Sequence, residues 1–233
     1  MSAAAPERLR DRLAELEVEH ATLRAELTAF ESDYLRVVGV VMVQVQELEA
    51  RILALVAVRS GAAGDREAAD AAEQRFRETT TALRSVPAPA GPPPSDDLKT
   101  LFRDAAKRMH PDLVRDEAGH THAEAFMKRL NDAYRKGDAE AIRNLLRQWE
   151  SSPYAVPPAE DPGAASRALQ VAVAEAQRRL DEARDSELAR LMEQSLAAAM
   201  EGRDLLAELR ADAEAALASA RARLTTLDNL NPT

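Results

Sequence analysis

Apolar residues return along the first segment of this chain with a heptad spacing. One seam position reads Leu9, Leu16, Leu23, Phe30 and Val37, and the other reads Leu13, His20, Leu27, Tyr34 and Val41. A seam sustained over so many turns implies a partner helix, because an a/d stripe left in water has nothing to bury it. Past Val41 the register slips to Val45, Leu48, Ile52 and Leu55. The valine-rich patch Val37–Val45 has the β-branched residues that favour a strand, but the helical period on either side assigns it to the helix. His20 on the seam reads as a tolerated core polar residue rather than a ligand.

Composition extends this helical reading to the rest of the chain. Aromatic residues make up 3% of the 233 positions and glycine numbers 8, with Ala, Leu, Glu and Arg abundant. The expected fold class is therefore all-α, built from long helices rather than a large globular core. So few aromatic side chains give little with which to line a deep ligand pocket. Cysteine is absent, which excludes disulfides, thiol catalysis and Cys-ligated zinc. The N-terminal stretch MSAAAPERLR runs straight into a charged amphipathic pattern without the apolar core of a signal peptide. The apolar runs Val40–Val43 and Ile52–Val58 are too short to span a bilayer. A cytoplasmic protein with no membrane contact is expected. The net charge of -9 opposes bulk binding to nucleic acid or anionic lipid. The acidic excess avoids the centre, since residues 96–149 hold 11 Lys and Arg against 10 Asp and Glu.

Breaks in the helical pattern set the expected organisation. Ser60–Asp65 is a short Gly-containing turn, and Val86–Ser95 and Ser151–Gly163 are proline-rich, so neither of the latter continues a helix. The expected order is coiled-coil helices over 1–85, a linker over 86–94, a helical hairpin over 95–150 and a second linker over 151–163. A long helix over 164–228 and a tail over 229–233 complete it. Residues 66–85 form a weaker helix able to fold back on the first. The last helix carries Leu169, Val173, Ala176, Leu180, Leu188, Met192 and Leu196, then Leu206, Leu209, Ala213, Leu217 and Leu224. Its many alanines suit close antiparallel packing, within one chain or in a homodimer.

The central segment is the most specific. Ser95 suits an N-cap, and Asp96 and Asp97 then face the positive end of a helix dipole. Leu98, Leu101, Phe102, Ala105, Ala106 and Met109 share one face. Lys99, Arg103 and Lys107 recur every four residues on another, with Arg108 beside them. Pro111 ends this helix, leaving His110-Pro111-Asp112 at a rigid corner. Thr121 and Glu124 have capping-box spacing and predict the start of the next helix, whose apolar face is Ala123, Phe126, Met127, Leu130, Ala133 and Tyr134. Gly137 suits that helix's end and Asp138 the next N-cap. Ile142, Leu145, Leu146 and Trp149 then define a third short helix that covers the hairpin. The corner and the cationic face are expected to point outward; a corner placed inside the coiled arms and sealed off from any approaching molecule would defeat any reading of this segment as a docking surface.

The stretch LKTLFRDAAKRMHPD followed by FMKRLNDAY resembles helix II, the His-Pro-Asp loop and helix III of J domains. Lys99, Phe102, Arg103, Ala106, Lys107, Arg108 and Met109 fall where that family has its basic and apolar helix II residues, and Leu130, Asn131, Ala133 and Tyr134 fall on its helix III pattern. The resemblance implies a co-chaperone without catalytic residues of its own. His110, Pro111, Asp112, Lys99, Arg103, Lys107 and Arg108 would engage a DnaK-type chaperone ATPase and stimulate its hydrolysis of ATP, while the coiled-coil arms select a protein client or a location. The resemblance covers about 50 residues of the 233. It departs from the family in two places. No Tyr-x-x-Leu-Gly helix I precedes Leu98, so either residues 66–85 substitute for it by packing on the hairpin or the domain is truncated, and Met127 stands where the family has phenylalanine, with Phe126 its neighbour.

Other chemistries have less in their favour. His110, His120 and His122, with Asp112 and Asp116, offer imidazole and carboxylate ligands, but nothing in their spacing makes them converge, and no metal or other cofactor is expected. No Gly-rich phosphate loop or nucleophile–base pair is present, so an enzyme is not expected. The alternative to a co-chaperone is a structural coiled-coil adaptor in which the J-like hairpin is vestigial.

Overall fold

The computed structural model describes residues 4–85, 94–114, 116–155 and 162–229. Every regular element among them is helical, as expected, and the chain compacts into two units: residues 1–28 with 90–190, and residues 29–89 with 191–233. These units cut across the linear order of segments, because the first helix, α1 (Ala4–Tyr34), is divided between them. Residues 86–93 of the first proline-rich linker, 156–161 of the second and 230–233 of the tail lie outside the described residues.

The first unit is built around the hairpin. Helix α4 (Asp96–Met109) is capped by Ser95, whose side chain accepts from the backbone N–H of Leu98, and both Asp96 and Asp97 lie in its first turn. Helix α5 (Glu117–Arg135) returns beside it and α6 (Ala139–Glu150) closes the far side. Gly137 takes a φ of 70°, which a side chain would oppose, and Asp138 then caps α6 by accepting from Ala141 N–H at 2.9 Å. Phe102, Ala105, Ala106 and Met109 interlock with Ala123, Phe126, Leu130 and Tyr134 and with Ile142, Leu145 and Trp149. The Phe102 and Tyr134 rings sit 4.6 Å apart at an interplanar angle of 56°, a tilted contact favoured by ring quadrupoles.

The start of α5 corrects the sequence expectation. The helix begins at Glu117, capped by Asp116 through the Gly119 N–H at 2.7 Å, and Thr121 lies inside it, donating to Glu117 O. Asp is at least as good an N-cap as Thr, and capping there gains a further turn. Residues 151–155 are likewise more than linker: Tyr154 and Ala155 pack against the hairpin core.

The helix that completes this core is α1, not residues 66–85. Val18 joins the hairpin cluster with Ala21 packed against it, and the Thr22 and Tyr134 hydroxyls are 2.7 Å apart. A neighbouring face of α1 packs Leu13 and Leu16 on Leu169, Ala172, Ala176 and Leu180 of α7 (Pro162–Arg184). The N- and C-terminal segments do pair within one chain, but the antiparallel packing read from the alanines is corrected: Arg12 bonds Gln177, Glu17 bonds Arg179 and Glu19 bonds Arg184, so α1 and α7 run parallel, the chain re-entering beside the start of α1 after the intervening helices.

The second unit contains a π turn (Leu35–Gly39), α2 (Val40–Ser60), α3 (Ala63–Arg84) and α9 (Leu205–Asn229). A π turn inserts an extra residue into the helical ladder, and it falls just before the point, past Val41, where the seam slips to Val45. Val41 and Val45 of α2 pack against Ala213 and Leu217 of α9, and α3 also packs on α2. The expected single helix over 164–228 is three. Ser186 caps α8 (Glu187–Met200) through Ala189 N–H at 3.2 Å. Asp204 caps α9 through Ala207 N–H at 3.0 Å, after Gly202 has turned the chain at a φ of 78°. No helix among the described residues is long and apolar enough to cross a membrane.

Candidate functional site

The corner forms where Pro111 prevents α4 from continuing. His110 adopts extended backbone geometry, with φ -66° and ψ 134°, as the N-cap of a single 3-10 turn over Pro111–Leu113. Its Nδ1 accepts the Asp112 backbone N–H at 3.3 Å. With Nδ1 accepting, Nε2 is the ring nitrogen left to donate. Nε2 lies 3.4 Å from Oε1 of Glu17 on α1.

The outward-facing corner of the sequence expectation is corrected by this contact. His110 is only 6% exposed, while Pro111 and Leu113 are half-buried and Asp112 is exposed. Leu113 packs on the cluster made by Leu13, Leu16, Leu169 and Leu180. The tip of the hairpin is thus seated on the α1–α7 pair, because the turn carries an apolar residue directly after the tripeptide and these two helices offer an apolar seam for it.

Glu17 is the polar centre of the contact, and nothing in the sequence singled it out. It is 5% exposed, and its Oε1 also accepts from Arg179 of α7 at 2.6 Å. Burial opposes ionisation of Glu17, but the His110 hydrogen bond and the nearby charges of His110 and Arg179 outweigh it and hold the carboxyl below its ordinary range. A buried carboxylate is stable only when so partnered. His20, one turn along α1, has its pKa lowered first by burial and further by Arg179 and Arg24, against the pull of Glu17.

The four cations predicted for docking are separated by their partners. Lys107 is held by two carboxylates of α1, Glu7 and Asp11, each at 2.6 Å, and these bonds raise its pKa. Arg108 reaches Glu150 of α6 at 2.6 Å, and Lys99 reaches Asp96 of its own helix at 3.4 Å. Arg103 is exposed and has no ion pair among the described residues. Three of the four cations are therefore paired within the molecule, Lys107 across to α1, and Arg103 alone of the four has no ion pair among the described residues.

The histidines do not gather. His120 pairs with Glu124 at 3.5 Å, whereas His122 stacks among Phe126, Trp149 and Tyr154 with ring centroids at 4.8, 5.8 and 5.2 Å. Residues two apart on a helix point in different directions. No group of His, Asp or Glu suited to a metal ion exists among the described residues.

No protein-family model, no curated protein and no solved structure matches this chain.

Proposed function

We propose that the chain is a J-domain-like co-chaperone that recruits a DnaK-type ATPase through the α4–α5 hairpin and stimulates its ATP hydrolysis, with the remaining helices selecting a client or a location. The observation that carries this reading is the hairpin itself. Two interlocked amphipathic helices, with the Phe102–Tyr134 contact at their centre, hold a proline-locked His-Pro-Asp corner at the end of a helix that also bears Lys99, Arg103, Lys107 and Arg108. Cations on a rigid helix speed encounter with an acidic surface and fix its orientation. The exposed Asp112 and the unpaired Arg103 remain available to a partner. His110, in its buried position, requires α1 and α7 to move aside before it is touched.

The adaptor reading draws on that same burial: His110 bonded to Glu17 and Leu113 packed on the α1–α7 seam together serve as a structural fastening. Single-turnover ATP hydrolysis by the cognate chaperone separates the two readings. The wild-type chain is titrated to concentrations at which a partner outcompetes the internal contact, beside Asp112→Asn, which keeps the size of an exposed side chain 3.6 Å from His110 Nδ1 and leaves the apolar core intact. Stimulation that the substitution removes supports the co-chaperone. Rates unmoved by any concentration of the chain leave the adaptor.

A further inference from the structure

We propose that the N-terminal half of α1 is an internal stand-in for the acidic partner surface, a latch that keeps the hairpin closed until a partner or client displaces it. The inference rests on the co-chaperone reading and concerns the regulation of that site.

Three carboxylates of α1 occupy the positions that a docking partner would need. Glu7 and Asp11, one helical turn apart, both hold the Lys107 ammonium at 2.6 Å. Glu17, farther along the helix, meets His110. An acidic helix is thus laid on the basic end of α4 and on the first residue of the tripeptide, which is the charge pattern expected of an external ligand for this surface.

The latch differs from ordinary core packing in its make-up. Glu7 and Asp11 are each 53% exposed and Lys107 is 31% exposed, so these pairs are screened and individually weak. Behind them Glu17 is buried and shared between His110 and Arg179. The Nε of Arg179 is buried without a hydrogen-bond partner, so the closed arrangement leaves one donor unsatisfied. Such a contact is specific in register and exchangeable: opening exposes groups that water or an acidic partner can satisfy. A partner that binds only the open form sees its affinity reduced by the fraction open.

Two full-length variants test the latch. Glu7→Lys combined with Asp11→Lys reverses charge at exposed positions without touching the core. Glu17→Gln removes the buried charge. Each is titrated in the single-turnover ATPase assay with and without Asp112→Asn, and amide hydrogen exchange is followed over residues 104–113. The latch predicts faster exchange there and half-maximal stimulation at a concentration roughly tenfold lower or less than for wild type, lost when Asp112→Asn is added. If wild type and variants stimulate with the same concentration dependence, the latch is overturned and the co-chaperone stands. Faster exchange without stimulation by any of the chains removes the co-chaperone and the gate together. Unchanged exchange in both variants overturns the latch whatever the rates, because these carboxylates would then not be what holds α1 down.

Discussion

The hydroxyls of Thr22 and Tyr134 meet at 2.7 Å, tying α1 to the centre of the hairpin core. The two ends of this bond are unequally covered: Tyr134 is 1% exposed, whereas Thr22 is half-buried. Burial raises the Tyr134 pKa, against the lowering effect of the Thr22 bond, so the phenol stays protonated at neutral pH.

This inequality predicts an asymmetric pair of substitutions. Tyr134→Phe removes the buried hydroxyl and leaves Thr22 able to recover water, for a loss of about 0.5–1.5 kcal/mol. Thr22→Val leaves the phenol buried without its partner, for a loss of about 1–3 kcal/mol. Urea midpoints of the two single variants and the double variant measure this. A Thr22→Val loss smaller than that of Tyr134→Phe would mean that the phenol finds another partner and that α1 is not its anchor.

Gly119 lies in the first turn of α5, where an added Cβ would collide with Val114 Cγ1 and would come within 2.8 Å of Tyr154 Cδ1 and 3.0 Å of Asp116 Oδ2. Alanine has the higher helix propensity by about 1 kcal/mol, and on propensity alone Gly119→Ala should stabilise. Overpacking costs about 1–3 kcal/mol, and Val114 is too stiff to turn aside cheaply. A lower melting temperature for Gly119→Ala is expected, with helix content by circular dichroism unchanged below the transition. A raised melting temperature would contradict the tight closure of the loop over α5.

Leu180 of α7 is 1% exposed in the cluster that seats Leu113. Leu180→Ala should cost about 2–5 kcal/mol, the transfer loss plus the cavity left behind. The same cavity loosens the platform under the corner, so exchange at the Asp112 and Leu113 amides should accelerate more than exchange in the middle of α5. Equal acceleration at both places would show that the α1–α7 pair and the hairpin core open as one.

The hairpin was largely legible in the sequence because its signals are local. Ser95, Gly137 and Asp138 act within a few residues of themselves, and the apolar face of α4 from Leu98 to Met109 repeats at the helical period. Errors arose where two local signals competed or where the partner was remote. Asp116 and Thr121 both suit an N-cap, and nothing short of packing around Gly119 decides between them. Ser186 and Asp204 are cap residues in plain view, but the apolar repeat continues past them and reads as one helix. Glu17 and His110 stand 93 residues apart, and a lone glutamate between Leu16 and Val18 has no periodic reason to be buried. Burial of the corner was therefore invisible, since it is fixed by tertiary pairing of α1 with α7 and not by any property of the His-Pro-Asp segment.

Acid should weaken the first unit in two steps. The His20 pKa is lowered on folding, chiefly by burial, so the unfolded chain takes up that proton first. The stability tied to a neutral His20 is whole above the unfolded value of about 6.5 and declines as pH falls below it. The Glu17 carboxyl is also held below its ordinary range, by His110 and Arg179 against the effect of burial. Its contribution is whole above the unfolded value of about 4.3 and is lost as pH falls through the folded one. Glu17→Gln should therefore lower the melting temperature at pH 7 and flatten its fall below about pH 4.3, where wild type loses the same carboxylate by protonation. The loss at pH 7 is about 1–3 kcal/mol, moderated because Arg179 is 41% exposed and can rehydrate. Melting temperatures at half-unit intervals from pH 7 to pH 3 provide the check. If the wild-type and Glu17→Gln curves run parallel throughout, Glu17 is not ionised in the fold, and the charge pairing assigned to His110 and Arg179 is wrong.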